Sequence, residues 1–192
     1  RAGRIDEAIE VMRLLWSQDD VTFHGRYFTL NNVTLEPKPV QDELPPLWIG
    51  GRSEAALRRV ARIGDGWLVS QATPDEVAEG IAYINNHAAE HGREIDDDHF
   101  GVLFSFSIAD TTEEAERIAA PYLLRRRSDV DVGELAAFGT PDQVSELIDQ
   151  FVEAGATKFV ARPACPPELM TQQLEMLGRE IVPAYHSITA AH

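Results

Sequence analysis

The sequence contains one cysteine, Cys165, in 192 residues, and a single thiol excludes any disulfide within the chain. Basic residues are also scarce. Lys and Arg number 17 against 32 Asp and Glu, a formal charge of -15 at pH 7. Such an acidic surface repels phosphate backbones and anionic lipid, which sets nucleic acid and membrane aside as partners. No apolar run approaches the length of a membrane span. No charged-then-apolar leader opens the chain. With the lone thiol, this gives the expectation of a reducing, cytoplasmic setting.

Apolar residues make up 44 % of the chain, enough for a core and too many for a disordered segment. The length suits one domain or a large part of one. Ile5, Ala8, Ile9, Met12, Leu15 and Trp16 form an apolar stripe at helical spacing, predicting a helix over about 4–17. Arg1, not Met, stands at the head of that pattern, and we expect the N-terminal part of the domain to lie outside this sequence. Residues 21–35 are rich in β-branched and aromatic side chains, with turn signals at His24-Gly25 and Asn31-Asn32, and predict one or two short hairpins. The prolines that follow, in "EPKPV" and Pro45-Pro46, cannot join a central sheet. Residues 21–44 are therefore read as hairpin and proline-rich connector within a single unit, 1–192.

Beyond the connector the pattern alternates. Short apolar strands are expected at 47–50, 67–70, 102–108 and 158–162, each followed by helical sequence. "TPDE" at 73–76 and "TPDQ" at 140–143 are capping boxes: the Thr hydroxyl accepts a free amide, Pro fills the first helical position, and Glu or Gln reaches back. The helices they open should end near His91 and Gly155, and a last helix should cover about 167–185. Four strand–helix units argue for an α/β fold with parallel strands, about half of a (β/α)8 TIM barrel. The competing arrangement, an open doubly wound sheet, would call for a long acidic-tipped second strand that is absent.

In such units the site lies at the C-terminal ends of the strands. Gly50, Gly51, Arg52 and Ser53 stand there, between a strand and a helix. A helix N-terminus offers unpaired amides and partial positive charge, glycines let an anion approach the backbone, and Arg52 and Ser53 add a charge and a hydroxyl. The turn is a candidate phosphate cradle. The plainer reading is a tight turn with Ser53 as N-cap. Ser70, Gln71 and Arg162 also fall at strand ends and are candidates for contact with substrate or a coenzyme tail; Ser107 falls near one. Asp65 precedes its strand and belongs to the opposite face as a turn residue, and Trp67 reads as core. His87 and His91 share a helix face but lack a third ligand, so no metal is expected. Arg125–Arg127 could meet a polyanionic coenzyme tail but reads rather as a solvated loop or salt-bridge cluster, and Cys165 as inert.

Five stretches, "RIDEAIEVMRLLW", "VTFHGRYF", "EPKPVQ", "PPLWIGGRSEAALRRVARIGDGW" and "LGREIVPAY", resemble the bacterial luciferase-like family, in particular its deazaflavin-dependent oxidoreductase branch. Their order and spacing are similar to the C-terminal half of that family, most loosely between Ser107 and Gly139. The resemblance implies a (β/α)8 barrel with a flavin-type coenzyme at its C-terminal face, coenzyme F420, or alternatively FMN. It implies that Gly50, Gly51, Arg52 and Ser53 grip the coenzyme phosphate. The implied reaction is hydride transfer between reduced deazaflavin and a small organic substrate. No residue of this chain stands out as catalytic acid or base, and the chain alone is expected to be inactive. Its open strand edges also predict a homo-oligomer. The alternatives are an FMN-dependent luciferase-like monooxygenase and a non-catalytic coenzyme-binding or scaffold protein.

Overall fold

A computed structural model describes residues 2–41, 44–123 and 127–185. Arg125 and Arg126 of the basic run lie outside the described residues.

The first helix, α1 (Ala2–Ser17), leads into an antiparallel hairpin of β1 (Val21–His24) and β2 (Thr29–Val33). The Glu7 carboxylate of α1 holds the hairpin turn, accepting from the amides of Arg26, Tyr27 and Phe28 at 3.1, 2.7 and 2.7 Å. The turn expected at Asn31-Asn32 is not a turn. Both residues lie inside β2, and Asn32 absorbs the irregularity with a φ of 54°. Asn tolerates that left-handed backbone better than most residues, which is why its presence mimics a turn signal.

The body of the chain alternates. It runs β3 (Trp48–Gly50), α2 (Glu54–Ile63), β4 (Gly66–Ser70), α3 (Pro74–Glu90), β5 (Phe100–Ile108), α4 (Thr112–Ala119), β6 (Ala136–Gly139), α5 (Pro141–Glu153) and β7 (Lys158–Pro163). It closes with α6 (Met170–Met176) and α7 (Val182–Tyr185), joined by a π-helical turn at Leu177–Ile181. Thr73 with Glu76, and Thr140 with Gln143, make both halves of their capping boxes, so these helices start where their local chemistry dictates. The single last helix expected over 167–185 is instead divided by that π turn, which contains Gly178, a weak helix former.

Strands β3 to β7 form one parallel sheet of five, not four. The additional strand is β6. Its four residues, Ala-Ala-Phe-Gly, contain no β-branched side chain, so nothing local marks them. β5 is nine residues long and its edges are unequally used. β4 pairs with its first part, ending at Ser70↔Leu103, and β6 with its last, from Ser105↔Ala136 to Ile108↔Gly139. β7 pairs along the opposite edge, from Gly101↔Lys158 to Phe106↔Pro163.

The period of two sorts the strand residues onto two faces. Trp67, Val69, Phe100, Val102, Phe104, Phe106 and Ile108 join Val60, Val77, Ile84, Val144 and Phe151 in one core, so this face is covered by α2, α3 and α5. Leu68, Ser70, Leu103, Ser105, Ser107, Val160 and Arg162 take the other face. At the N-terminal ends of the strands, the inner face is filled by Trp48. A Cβ on Gly66 would stand 2.7 Å from its ring, and one on Gly101 would stand 3.0 Å from it, so both positions exclude side chains. At the C-terminal end of β5, α4 lies over the inner face. Ala115 and Ala119 pack there with Ala136, Phe138 and Ala164.

Asp65 does more than terminate a turn. Its carboxylate accepts from Arg13 Nη2 at 2.9 and 3.0 Å and from the Leu47 amide at 2.9 Å, with Arg93 Nη2 at 3.5 Å. Arg13 also donates to the Ile63 carbonyl, and Arg93 donates to those of Val60, Ala61 and Gly64. This cluster joins α1, the end of α2 and the segment after α3 at the N-terminal ends of the strands.

Candidate coenzyme site

The β3–α2 turn is shaped by its glycines. Gly51 has a φ of 107°, a region open to glycine and strained for other residues, and a Cβ there would stand 3.1 Å from that of Ala56. Gly50 lies against β4, where a Cβ would come within 3.3 Å of the Leu68 carbonyl. Ser53 is the N-cap of α2, with its Oγ accepting from the Ala56 amide at 3.3 Å. The amides of the first helical residues, Glu54 and Ala55, have no intrahelical partner. Gly50, Gly51, Arg52 and Ser53 are all exposed. The turn therefore presents free amides at a helix N-terminus beside a backbone with no side chains, which fits a phosphate.

Behind the turn stands Trp67. Its ring is buried against α3, where Gly80 leaves room for it, and its Nε1 donates to the Gly51 carbonyl at 2.9 Å. With the carbonyl held from behind, the turn keeps its shape. The sequence places Trp67 in the core, which is correct, but gives no sign of this second role.

Arg52 is engaged. Its Nη1 lies 3.3 Å from Glu76 Oε1. Glu76 also accepts from the Thr73 amide at 2.9 Å and from Arg127 Nη1 at 2.6 Å. Arg127 donates further to the Gln71 carbonyl at 3.1 Å and to Asp129 Oδ2 at 2.6 Å. Burial alone would raise the Glu76 carboxyl, and the donors from Arg127 and Thr73 outweigh it, so it sits below its ordinary value. The hydrogen bond from Arg127 likewise takes Asp129 down to about 2. The ion pairs thus run Arg52–Glu76–Arg127–Asp129 and tie the glycine turn to the start of α3 and to the segment before β6. Glu76 is legible in the sequence only as a capping residue.

Ser70 ends β4, exposed, and Gln71 follows in a left-handed conformation, φ 56°. Gln71 lines a cavity of about 190 Å³ with Leu123, Arg127, Val130, Val132, Leu135 and Ala136. Arg162 lies across β5 from these. Its Nη2 donates to Ser105 Oγ at 3.1 Å and to the Tyr122 carbonyl at 3.3 Å. The fold thus brings Gly50, Gly51, Arg52, Ser53, Ser70 and Gln71 to neighbouring strand ends and places Arg162 on the far edge of β5. For Ser105 the sequence offers one signal: "FSFS" at 104–107 alternates apolar and polar and marks one polar face.

Other candidates have structural partners. His87 stacks on Tyr83 at 3.9 Å, with Nδ1 2.9 Å from the Tyr83 carbonyl oxygen. Among the described residues the one cluster with metal-ligating geometry is Asp96, Asp98 and His99. It is largely exposed, and Asp98 is paired with Lys158 at 3.0 Å. Cys165 is buried, and burial pushes its thiol up, away from the reactive thiolate. No helix of the described residues is long and apolar enough to cross a membrane.

Residues 1–158 match the luciferase-like monooxygenase family, and the chain belongs to it. An FMNH2-dependent dimethylsulfone monooxygenase of Pseudomonas putida is 28% identical over 156 residues, which is 81% of this chain and 39% of that protein. An uncharacterised protein of Mycobacterium tuberculosis is 39% identical over 93 residues, 48% of this chain and 31% of that one. The matched segments therefore span well under half the length of these relatives. Among solved structures, an F420-dependent secondary alcohol dehydrogenase superposes with a TM-score of 0.75 at 23% identity, covering 93% of this chain and 60% of that one. A coenzyme F420-dependent tetrahydromethanopterin reductase from Methanopyrus kandleri gives 0.77 at 21%, covering 96% and 63%. The parallel sheet and its helices are thus part of a TIM-barrel-type fold.

Proposed function

We propose that the protein containing this chain is a cytoplasmic oxidoreductase that holds coenzyme F420 by its phosphate on the turn Gly50, Gly51, Arg52 and Ser53. The observation that carries this reading is Gly51. Its positive φ, its exposure and the absent Cβ open the N-terminus of α2 to an anion. The free amides of the first helical turn and the Ser53 amide would take phosphate oxygens, Arg52 would swing from Glu76 to neutralise charge, and Trp67 would keep the turn in shape. When bound, the coenzyme supplies the hydride chemistry, and this chain supplies position and polarity. Ser70 and Gln71 stand where a small organic substrate or the coenzyme tail would pass.

Gly51→Asp tests the cradle. In full-length protein, fluorescence titration with F420 should show affinity weakened at least about tenfold, about 1.4 kcal/mol, with an unchanged circular dichroism spectrum. Unchanged affinity in a folded variant refutes it. The FMN-dependent monooxygenase reading is favoured by the 28% identical relative, whose name states FMNH2 dependence. Tighter FMN than F420 binding, with oxygen-dependent turnover, would select it. We also propose self-association. Among the described residues β3 and β7 are open sheet edges, and Val160 on the inner face is 45% exposed. Light scattering at micromolar concentration should report a dimer or larger species; a monomer would refute this.

A further inference from the structure

We infer that Arg162 and Ser105 form a receiving site for a carboxylate on the inner face of the sheet, one that takes a carboxylate-bearing substrate or the acidic tail of the coenzyme. The inference rests on the oxidoreductase reading above and adds the charge class of a bound group. Ser105 and Arg162 are direct partners in the β5–β7 register, so their side chains rise from the same face. That face is opposite the helix-covered core, because Phe104, Phe106, Phe159 and Ala161 are the residues that pack into it. Arg162 Nη2 is aimed by two acceptors, Ser105 Oγ at 3.1 Å and the Tyr122 carbonyl at 3.3 Å. Neither is charged. Arg162 Nε is buried and has no acceptor among the described residues.

The contrast with other guanidinium groups supports this. Arg13, Arg52, Arg59 and Arg127 each hold a carboxylate. Arg4, Arg26 and Arg179 are exposed and have no carboxylate partner among the described residues, so water serves them. Among the described residues, no carboxylate pairs with Arg162. A guanidinium that is partly withdrawn from water, oriented by neutral acceptors and left with an unused buried donor is short of an anion. Ser107 is next along the same face, about 7 Å on, fully buried, and its hydroxyl also has no partner among the described residues. Ser107 lies beneath α4 and cannot reach a bound group, so the unused Nε of Arg162 is the donor that points to an oxyanion. The guanidinium plane matches carboxylate geometry.

The test uses full-length protein with benzoate and benzamide, which share a shape and differ in charge. Isothermal titration should show benzoate bound at least about tenfold more tightly than benzamide, and Arg162→Gln should abolish that preference while Arg162→Lys keeps part of it. If Arg162→Gln fails to fold, Ser105→Ala decides, with a loss of about threefold or more in benzoate affinity. F420 and FMN titrations separate the two sources. A coenzyme tail on Arg162 lowers F420 affinity in Arg162→Gln and leaves FMN, which ends at its phosphate, unchanged. A substrate carboxylate leaves both unchanged. A wild-type protein that binds benzoate no better than benzamide, with F420 binding indifferent to Arg162→Gln, overturns the inference. Folded Gly51→Asp should keep its benzoate preference, so failure of the phosphate cradle and failure of this site register in different measurements.

Discussion

Trp67 acts through two parts of one side chain. Its ring fills the space above Gly80, and its N–H holds the Gly51 carbonyl. The two roles separate in Trp67→Phe, which keeps most of the apolar contact and removes the donor. We expect a stability loss of about 1–3 kcal/mol, from a lost buried hydrogen bond and a partial void, measured by urea unfolding. Coenzyme affinity should fall as well, because the turn loses its support. Equal affinity with lower stability would show that the turn holds its own shape. Such pairings are invisible in one dimension. Trp67 and Gly51 are sixteen residues apart, and no periodicity predicts which carbonyl an indole will meet.

At the scale of elements, the local signals were the legible ones. Capping boxes at Thr73 and Thr140 form because Thr, Pro and Glu or Gln act within one turn. β6 carries no local signal because it is a strand only through its neighbour. Ala136 to Gly139 pair with the far part of β5, about thirty residues earlier in the chain. The Arg52–Glu76–Arg127 chain carries none for the same reason, since Glu76 and Arg127 are separated by fifty-one residues. The candidate strand-end residues were found by rule, but their partners were not. Asp65 shows how much one such partner set contributes. Asp65→Ala would leave Arg13, Arg93 and the Leu47 amide without their shared acceptor where α1, β3 and α2 meet. These groups are about one-third exposed, so water moderates the loss. We expect about 1–3 kcal/mol, read as a lower urea midpoint with an unchanged slope. A midpoint shift smaller than that of an ordinary surface substitution would reduce the cluster to decoration.

For the whole molecule, acidity sets the pH response. Asp6 and Glu76 sit below their ordinary values because arginine donors outweigh the effect of burial, Asp98 because of Lys158, and Asp129 lies at about 2 because of Arg127. A depressed folded pKa gives stability that is complete above the unfolded value and lost as pH falls through the folded one. Stability should therefore be level from about pH 8 to 5 and decline from about pH 4 towards 2, where these carboxylates are protonated. Urea unfolding at fixed pH values tests this, and stability at pH 3 equal to that at pH 7 would contradict it. Glu76→Gln should flatten part of the acid limb.

The divided edge of β5 has a consequence for how this chain tolerates change. β4 uses the first part of that edge and β7 the opposite edge from Gly101 to Phe106, so the hydrogen bonds that hold these three strands together do not pass through residues 109–139. That stretch leaves the sheet, lays α4 across the mouth and returns as β6 to a vacant length of the same edge. We expect it to behave as an exchangeable cartridge, whose length and lining can change while the frame beside it stays in register, provided the contacts of Arg127 with Gln71 and Glu76 are kept.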